Sequence, residues 1–522
     1  MDCYFESIKY KMYTIARIIA INVFIGIHTL FAQFYDANWI IGWGGNSTDS
    51  IVFVGLMQIN FNKGLKISYP LKDNPICNTG FCPSAVSNAK GELLFYSDAF
   101  HIYNRNHDIV KGGDHINPGP YWDAYIGATY PMQNGALFLP WPNHLEFFFH
   151  FHKSFGVLKD DPEREVAAGC DKLYYTLLDL NGDNGMGEAI KKNVMLLEGE
   201  INTANMSACK HANGRDWWLI QKTSGHNEYF FYLLDPSGVR LHHKQFIGPN
   251  GAKFDWNGRD CFSEQGDKYI QVNHVDHLII MDFDRCNGEL SNPLQIINPV
   301  AKLDSQPSVS IAISPSGRYL YFCNITKIWQ YDLHAKDVAQ SVIQVAKYDS
   351  FLYEKYFPTT FFNMRLAPDG MIYICPFSNN NAYLHRINFP DRKGLACEVI
   401  QHAVRMPAEM GGSLPVMPNY RLGPLIGSSC DSIYDINSNA KFNVFPNPVV
   451  DYLYITTNIS QLFKLSLNIQ VFDLSGKEVL EFSFTNQDQM IKIPVSHLTQ
   501  GMYVYKIISN EADLGFGKFI KI

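Results

Sequence analysis

Between Phe34 and Leu425 short apolar runs alternate with polar, small-residue turns. One phrase recurs, a turn containing glycine followed by an apolar or aromatic strand. It appears as "KGELLFYSD" at Gly91, "NGALFLPWP" at Gly135, "NGRDWWLIQ" at Gly214, "QGDKYIQVN" at Gly266, "SGRYLYFCN" at Gly317 and "DGMIYICPF" at Gly370. Successive glycines are 44, 79, 52, 51 and 53 residues apart, so one interval is stretched and the rest are nearly constant. Most runs have another before them ("SAVSNA", "VSIAISPS", "NMRLAPD") and a third after ("HIYNRN", "KIWQYDL", "YLHRINF"). Such a series predicts antiparallel strands, with Gly, Asn, Asp and Pro supplying the turns. A small sheet repeated at this period predicts a β-propeller.

Six copies are visible, and a seventh is expected from both ends of the region. "NWIIGWGG", "GLMQINFN" and "KISYP" would combine with "LPVMPNYRL" to close the ring. The 392 residues from Phe34 to Leu425 allow 56 per blade, above the usual value of about 40 to 50. Loops at Leu158 to Cys170 and Asn181 to Gly187 are expected to hold the excess. The predicted propeller covers residues 34–426, and residues 427–441, rich in Ser, Asn and Asp, read as a linker.

Residues 442–522 bring new runs: "NVFPNPV", "YLYITTN", "LNIQVFDLSG", "KEVLEFSF", "MIKIPV", "GMYVYKIIS" and "FGKFIKI". Alternation in "YVYKI" and "KFIKI" puts apolar groups on one face and predicts a small β-sandwich. It holds no Cys, no Trp and one His, His497, so it lacks the usual material of a catalytic site. At the other end, Lys9, Lys11 and Arg17 precede the apolar run Ile18 to Ala32. Residues 1–32 therefore read as a signal peptide, with Met12 as an alternative start.

Composition agrees with an all-β chain: 46% hydrophobic, 18% charged, 36 Phe and 29 Tyr. A net charge of −7, without a basic cluster interleaved with aromatics, argues against a nucleic-acid partner. In an exported chain disulfides are permitted, and Cys77–Cys82 and Cys397–Cys430 are the expected pairs. Cys170, Cys209, Cys323 and Cys375 lie in or beside apolar runs and read as small core residues.

The last module closely resembles the type A C-terminal sorting domains of proteins exported by the type IX secretion system of Bacteroidetes. The resemblance is carried by Pro446, Asn447 and Pro448, by Asp451 with the strand Tyr452 to Ile455, and by "VFDLSGK" around Gly476. "LTQGMYVYKI" with Gly501 and Tyr503, and the terminal Lys518 to Ile522, complete it. It implies Sec export, recognition of the folded domain by the outer-membrane translocon and a sorting peptidase, and commonly its removal with attachment of the passenger to surface lipopolysaccharide. The upstream region resembles secreted propeller proteins of the same bacteria through "GELLFYSDAFHIYNRNH", "CKHANGRDWWLI", "DFDRCNG", "LAPDGMIYI" and "MPNYRLGP". That second resemblance brings no activity.

Three stretches could carry chemistry. In "DLNGDNGMGE" the every-second-residue spacing of Asp179, Asn181 and Asp183 suits calcium, yet Asn184 and Ile190 stand where an EF-hand needs Gly and Glu. A Gly/Asn-rich turn accounts for the same residues. "KHANGRDWW" places His211, Arg215, Asp216 and Trp217 within a few residues. They could line the channel and bind an anionic or sugar ligand, or the Arg215–Asp216 pair could simply pin a hairpin whose two Trp rings straddle the blade. His144, His150 and His152 suggest a metal, but only Glu146 is at hand as a further ligand, and a half-exposed strand is the plainer reading. No nucleophile elbow, P-loop or dinucleotide fingerprint occurs.

The expectation is an exported, monomeric, all-β protein at the cell surface or in the medium: a seven-bladed propeller that binds a ligand or glycan, with no cofactor unless calcium. The alternative is a polysaccharide hydrolase or lyase with its site in the propeller channel. An apolar or plugged channel would count against that alternative.

Overall fold

A computed structural model describes residues 34–43, 55–71, 77–126, 130–157, 168–251, 258–272, 277–297, 308–378, 380–430, 442–457, 466–474, 476–485, 490–509 and 512–522. The signal segment with Met12, residues 158–167 of the first long loop and residues 431–441 of the linker lie outside the described residues. Two units are distinguished, dividing between Asp431 and Ser432.

The first unit is a ring of seven antiparallel sheets. Blade 1 holds Asn38–Trp43, Gly55–Asn60 and Lys66–Leu71, and blade 2 holds Ser84–Ser87, Leu93–Ser97 and Ile102–Asn104. Blade 3 holds Ala136–Trp141, His144–Lys153, Ala168–Asp179 and the first part of the 23-residue strand Glu188–Lys210. The second part of that strand opens blade 4, followed by Trp217–Thr223, Glu228–Asp235 and Gly238–Phe246. Blade 5 is Arg259–Phe262, Lys268–Val272, His277–Asp284 and Glu289–Ile297. Blade 6 is Ser308–Ile313, Tyr319–Asn324, Lys327–Asp332 and Ile343–Lys347, and blade 7 is Asn363–Leu366, Ile372–Cys375, Tyr383–Ile387 and Val399–Arg405.

The local sequence explains why these are propeller blades. In Trp217–Thr223 both faces are buried: Trp217 and Leu219 join the core shared with blade 3, and Trp218 and Ile220 the core shared with blade 5. A strand sandwiched on both faces reads as a continuous apolar run, as "LLFYS", "YLYFCN" and "IYIC" also do. The outermost strand of blade 4, "GVRLHHKQF", is by contrast largely exposed and polar.

The repeat turns confirm the periodicity and correct its phase. Gly91, Gly214, Gly266, Gly317 and Gly370 stand before the second strands of their blades with φ between 71° and 82°, a conformation glycine adopts without strain. Gly135 instead precedes the first strand of blade 3, where the equivalent turn carries Asn143 at φ 62°. Counting Asn143, the spacings become 52, 71, 52, 51 and 53, and the extra length falls in blade 3.

Where the long strand passes between blades 3 and 4, its pairing shifts between Ile201 and Met206. The carbonyls of Asn202, Thr203 and Asn205 there receive the buried Lys153 ammonium at 3.1, 2.9 and 3.3 Å. A buried lysine satisfied by three carbonyls holds a break that would otherwise leave polar groups unpaired.

The ring closes by packing. Blades 1 and 7 share one core, in which the Tyr373 ring lies 6.0 Å from Trp39 and 5.7 Å from Phe61. Each such buried aromatic side chain stabilises by roughly 1.5–3 kcal/mol. The expected contribution of "LPVMPNYRL" to a closing strand does not occur. Residues 406–425 form no strand, because they follow the axis of the ring and contact side chains and loop backbone instead of a ladder.

Cysteine pairing also differs from expectation. Cys430 pairs with Cys286, in the turn between the third and fourth strands of blade 5, Cys82 and Cys397 are free and buried, and Cys77 is buried. Cys77 and Cys82 contribute to two different cores, which uses them as small hydrophobes.

The second unit packs the sheet of Phe442–Phe445, Tyr452–Thr457 and Met490–Pro494 against that of Ser466–Phe472, Glu478–Thr485, Gly501–Ser509 and Ala512–Lys521. Leu453, Ile455, Ile469, Val471, Ile493 and Phe519 fill the space between them, so the predicted sandwich forms with its seven strands.

The Cys286–Cys430 bond spans 144 residues, and removing such a cross-link costs about 2–4 kcal/mol. Reductant is expected to lower the melting temperature of the wild-type chain. Cys286→Ser should melt low with or without reductant, whereas Cys397→Ser should keep the wild-type response.

Candidate functional site

The channel of a propeller is where facing carboxylates or a ligand pocket would be sought, and here residues 406–425 occupy it. From blade 7, the Met406 and Met410 amides donate to the Ala382 and Asn381 carbonyls at 2.8 and 2.9 Å. Gly411 passes so close to Gly80, ahead of blade 2, that a Cβ on it would lie 2.6 Å from the Gly80 oxygen. Ser413 accepts from Asn363 of blade 7 at 2.6 Å, and Asn419 donates to the Glu264 carbonyl of blade 5 at 2.9 Å. The Tyr420 hydroxyl donates to Phe138 of blade 3 at 2.7 Å, its ring flanked by Tyr35 and Trp217. Arg421 pairs with Asp36 at the entry to blade 1 at 2.6 Å, and the Leu425 amide donates to Ala212 of blade 4 at 2.8 Å. Met417 shares a cavity wall with Ile311 to Ile313 of blade 6. Six blades or their entry loops thus touch one extended segment, and blade 6 faces it across a cavity.

What remains open is small. Two cavities of about 60 Å³ flank Met417, both bordered by Cys261, Phe262, Glu264 and Arg365. A site for a sugar or cofactor needs about 300 Å³ or more. The carboxylates beside the first cavity are already engaged. Asp260 accepts from the Tyr269 hydroxyl and the Asn134 amide, both at 2.8 Å, and Glu264 accepts from Asn419 at 2.8 Å. Burial pushes Glu264 up to about 7, with Arg421 opposing.

The residues singled out by sequence are placed as follows. His211, Arg215, Asp216 and Trp217 lie at the end of the channel where Pro424 packs over Gly214. Asp216 accepts from Arg215 Nε at 2.7 Å and from Asn213 at 2.7 Å, and His211 Nδ1 accepts the Asn213 amide at 3.0 Å. Trp217 is buried beneath Lys210, whose ammonium stands 4.6 Å from the ring centre. Asp179 accepts the Asn181 amide at 2.8 Å within a tight turn, where Asp183 and Asn184 take positive φ. Among the described residues no group of three His, Cys, Asp or Glu side chains is arranged to hold a metal ion.

His150 and His152 are fully buried rather than half exposed, because blades 2 and 4 cover blade 3 on both sides. His152 Nδ1 donates to Asn117 at 2.7 Å and Nε2 accepts from Thr176 at 3.0 Å. That is the pattern of a neutral ring, in keeping with a pKa that burial lowers to about 3.

Sequence reasoning missed two features. Arg285, beside the disulfide, donates to the carbonyls of Lys210, His211 and Gly423 at 2.9, 3.2 and 2.5 Å, tying blades 4 and 5 to the axial segment. The second is a short hairpin, Leu352–Tyr353 and Phe357–Pro358, in the connection from the outer strand of blade 6 to the first strand of blade 7. Gln401 of blade 7 accepts the Asp349 amide at 3.1 Å and donates to Lys347 of blade 6 at 2.9 Å.

On this hairpin Phe351 is 42% and Tyr356 79% exposed, and the Phe351 ring stands 4.4 Å from His402 and 5.8 Å from Tyr383. Ser350, Glu354, Lys355 and His402 all have positive φ, a concentration of backbone strain typical of functional surfaces. His402 Nε2 lies 2.6 Å from Thr359 Oγ1 and Nδ1 3.6 Å from Asp349. This resembles a hydroxyl–imidazole–carboxylate relay in outline, but Thr359 is fully buried, so a reacting group has no access to it. The only signal for this surface in the sequence is its density of aromatics, "KYDSFLYEKYF".

In the C-terminal module the motif residues bind its two ends together. Asn447 Oδ1 accepts the Ile520 amide at 2.9 Å, and Val449 exchanges backbone bonds with Ile520 and Ile522 at 2.8 and 3.0 Å. The Asp451 carbonyl accepts Val495, Gly476 closes a turn at φ 83°, and the Tyr503 hydroxyl donates to Thr499 at 2.8 Å. Pro446 and Pro448 flank Asn447, Gly501 opposes Lys521 at the end of the strand pair, and Lys518 is exposed.

Fold and geometry define an all-β chain of two parts, a seven-bladed β-propeller with a filled channel and a β-sandwich whose motifs are structural clamps. Residues 443–521 match the family described as the secretion system C-terminal sorting domain. The second part is therefore a sorting domain of the type IX system, and it marks the protein for secretion. A provisionally assigned 6-phosphogluconolactonase from Bacteroides fragilis is 11% identical, with a TM-score of 0.42 over 73% of this chain and 98% of that one. A similarly assigned protein from Bacteroides uniformis is 13% identical, with a TM-score of 0.43 over 72% and 99%. The Dos1 propeller is 11% identical, with a TM-score of 0.36 over 71% and 82%. At these scores the propeller assignment rests on the sheet order above. No curated protein matches the chain. No helix among the described residues is long and apolar enough to cross a membrane.

Below pH 4.5 Glu264 is protonated whether the chain is folded or not. Between 4.5 and about 7 only the unfolded chain loses the proton, so folding becomes progressively less favourable, and above 7 the penalty is constant. Relative to Glu264→Gln, the wild type should lose about 1–3 kcal/mol across that window. Urea denaturation of both proteins at several pH values measures it, and a pH-independent difference would refute this placement of Glu264.

Proposed function

We propose that the propeller is a secreted binding module for glycans, carried out of the cell by its sorting domain and acting at the cell surface. The observation that carries this reading is the exposed aromatic hairpin around Phe351 and Tyr356, beside the polar groups of His402 and Asp349. Flat, partly exposed aromatic faces take the apolar face of a sugar ring, and adjacent imidazole and carboxylate groups take its hydroxyls. Phe351, Tyr356 and the Asp349 carboxylate are exposed on a strained loop held between two rigid blades, with the His402 ring behind Phe351. A polysaccharide-active enzyme with its site in the channel is disfavoured by the axial segment that occupies it and by the small size, about 60 Å³ each, of the two cavities beside Met417.

The passenger is best tested on an array of bacterial and host glycans. Tyr356→Ala and Phe351→Ala should each weaken binding about tenfold or more with the melting temperature nearly unchanged, as loss of a stacking partner of about 1–2 kcal/mol requires. Binding unaffected by both changes would move the site elsewhere. For delivery, deletion of residues 442–522 should retain the passenger inside the cell, and a truncated chain still reaching the medium would contradict the sorting role.

A further inference from the structure

The centre of the channel wall carries more positive charge than the protein neutralises. Arg259, on the first strand of blade 5, is fully buried, and Arg365, on the first strand of blade 7, faces both cavities. The two guanidinium groups converge on one neutral atom. Asn134 Oδ1 accepts from Arg259 Nη1 at 3.2 Å and from Arg365 Nη2 at 2.8 Å. The remaining side-chain acceptors of Arg259 are also neutral, Gln133 at 2.5 Å and Ser413 at 3.4 Å. Among the described residues neither arginine forms an ion pair, and the Nε of each is shut off from solvent without a partner.

Asp260 is the adjacent carboxylate, and its two oxygens are taken by Tyr269, by the amide of Asn134 and by the Met206 backbone at 3.3 Å. It favours both arginines through space but forms an ion pair with neither. The thiols of Cys261 and Cys375 lie close by, but burial pushes each up to about 12, so neither supplies a negative charge. Arg259, fully buried, and Arg365, partly buried, face Asp260 and, beside the cavity, Glu264, whose charge burial suppresses up to about pH 7, a costly arrangement which proteins resolve with a counter-charge.

We propose that the cavity between blade 5, Arg365 and the axial segment binds a small inorganic anion of the halide class. The volume of about 60 Å³ suits one such ion with a water molecule. The Arg365 guanidinium borders it together with residues 416–419, whereas the donors of Ser207, Ser263 and Asn419 are spent on Asp260, Asp267 and Glu264. The ion would fasten blades 5 and 7 to residues 416–419, making closure of the channel dependent on the anion. This inference is independent of the glycan reading, because it concerns the axis and not the rim.

The test is thermal unfolding of the full chain at constant ionic strength, with sodium chloride replacing sodium gluconate. Chloride should raise the melting temperature saturably, by roughly 2–4 °C at a hundredfold excess over half-saturation, and Arg365→Gln should abolish the response. Equal melting in both salts, or an undiminished response in Arg365→Gln, would overturn the proposal. Should that variant not fold, crystals of the wild type soaked in bromide decide the matter. An anomalous peak beside Arg365 is expected, and bromide bound at other places with none in this cavity refutes it.

Discussion

The propeller depends on what fills its axis. Seven sheets in a ring leave a hole lined by first strands, and a hole of that kind must hold water, ligand or protein. Here residues 406–425 run along it and satisfy backbone and side-chain groups from blades 1, 3, 4, 5 and 7, through Met410, Ser413, Asn419, Tyr420, Arg421 and Leu425. Both chain ends of the ring contribute complete sheets, so no strand is exchanged between blades 1 and 7. Closure rests on the Trp39–Tyr373–Phe61 core and on the axial segment, which Cys430 and Arg285 then fasten to blade 5. The interior is committed to holding the ring, while on the outside the hairpin between blades 6 and 7 exposes Phe351 and Tyr356.

Much of this was legible in the sequence, and the failures have physical causes. Blade strands are buried on both faces, so they announce themselves as continuous apolar runs, and the glycine turns mark them at a nearly constant period. Gly135 misled the count because Asn143 can take the same positive φ, and a pattern built on glycine alone passes over it. "LPVMPNYRL" read as a strand because its apolar residues are genuinely buried. They are buried one by one against different blades, which leaves the same composition without a ladder. Disulfide pairing could not be read at all, since Cys286 and Cys430 are 144 residues apart in sequence and meet only in the folded ring. The chemistry-rich stretch at His211 to Trp218 was conspicuous for a structural reason: a tight turn at the channel mouth uses its polar groups to satisfy itself. The aromatic hairpin was hidden by the converse, since aromatics occur throughout the chain and only three-dimensional placement shows which ones remain exposed.

The two units divide their labour along the same lines. In the sorting domain, the motif residues that carry the resemblance close turns and join Asn447 and Val449 to Ile520 and Ile522. Its motif residues thus serve the fold of the module, which is poor in reactive side chains. The propeller is rich in buried polar groups, but these serve the channel: Lys153 caps a strand break, and Arg259, Arg365, Asn134 and Asp260 form the knot at its centre.

The central claim, that the axial segment is an integral part of the ring, is tested most directly by hydrogen–deuterium exchange of the folded protein. The amides of Met410 and Leu425, which donate to Asn381 and Ala212, should exchange as slowly as the inner strands of the blades, through global unfolding. Rapid exchange across residues 406–425 while the blades stay protected would show a plug that leaves its channel, and would contradict the account.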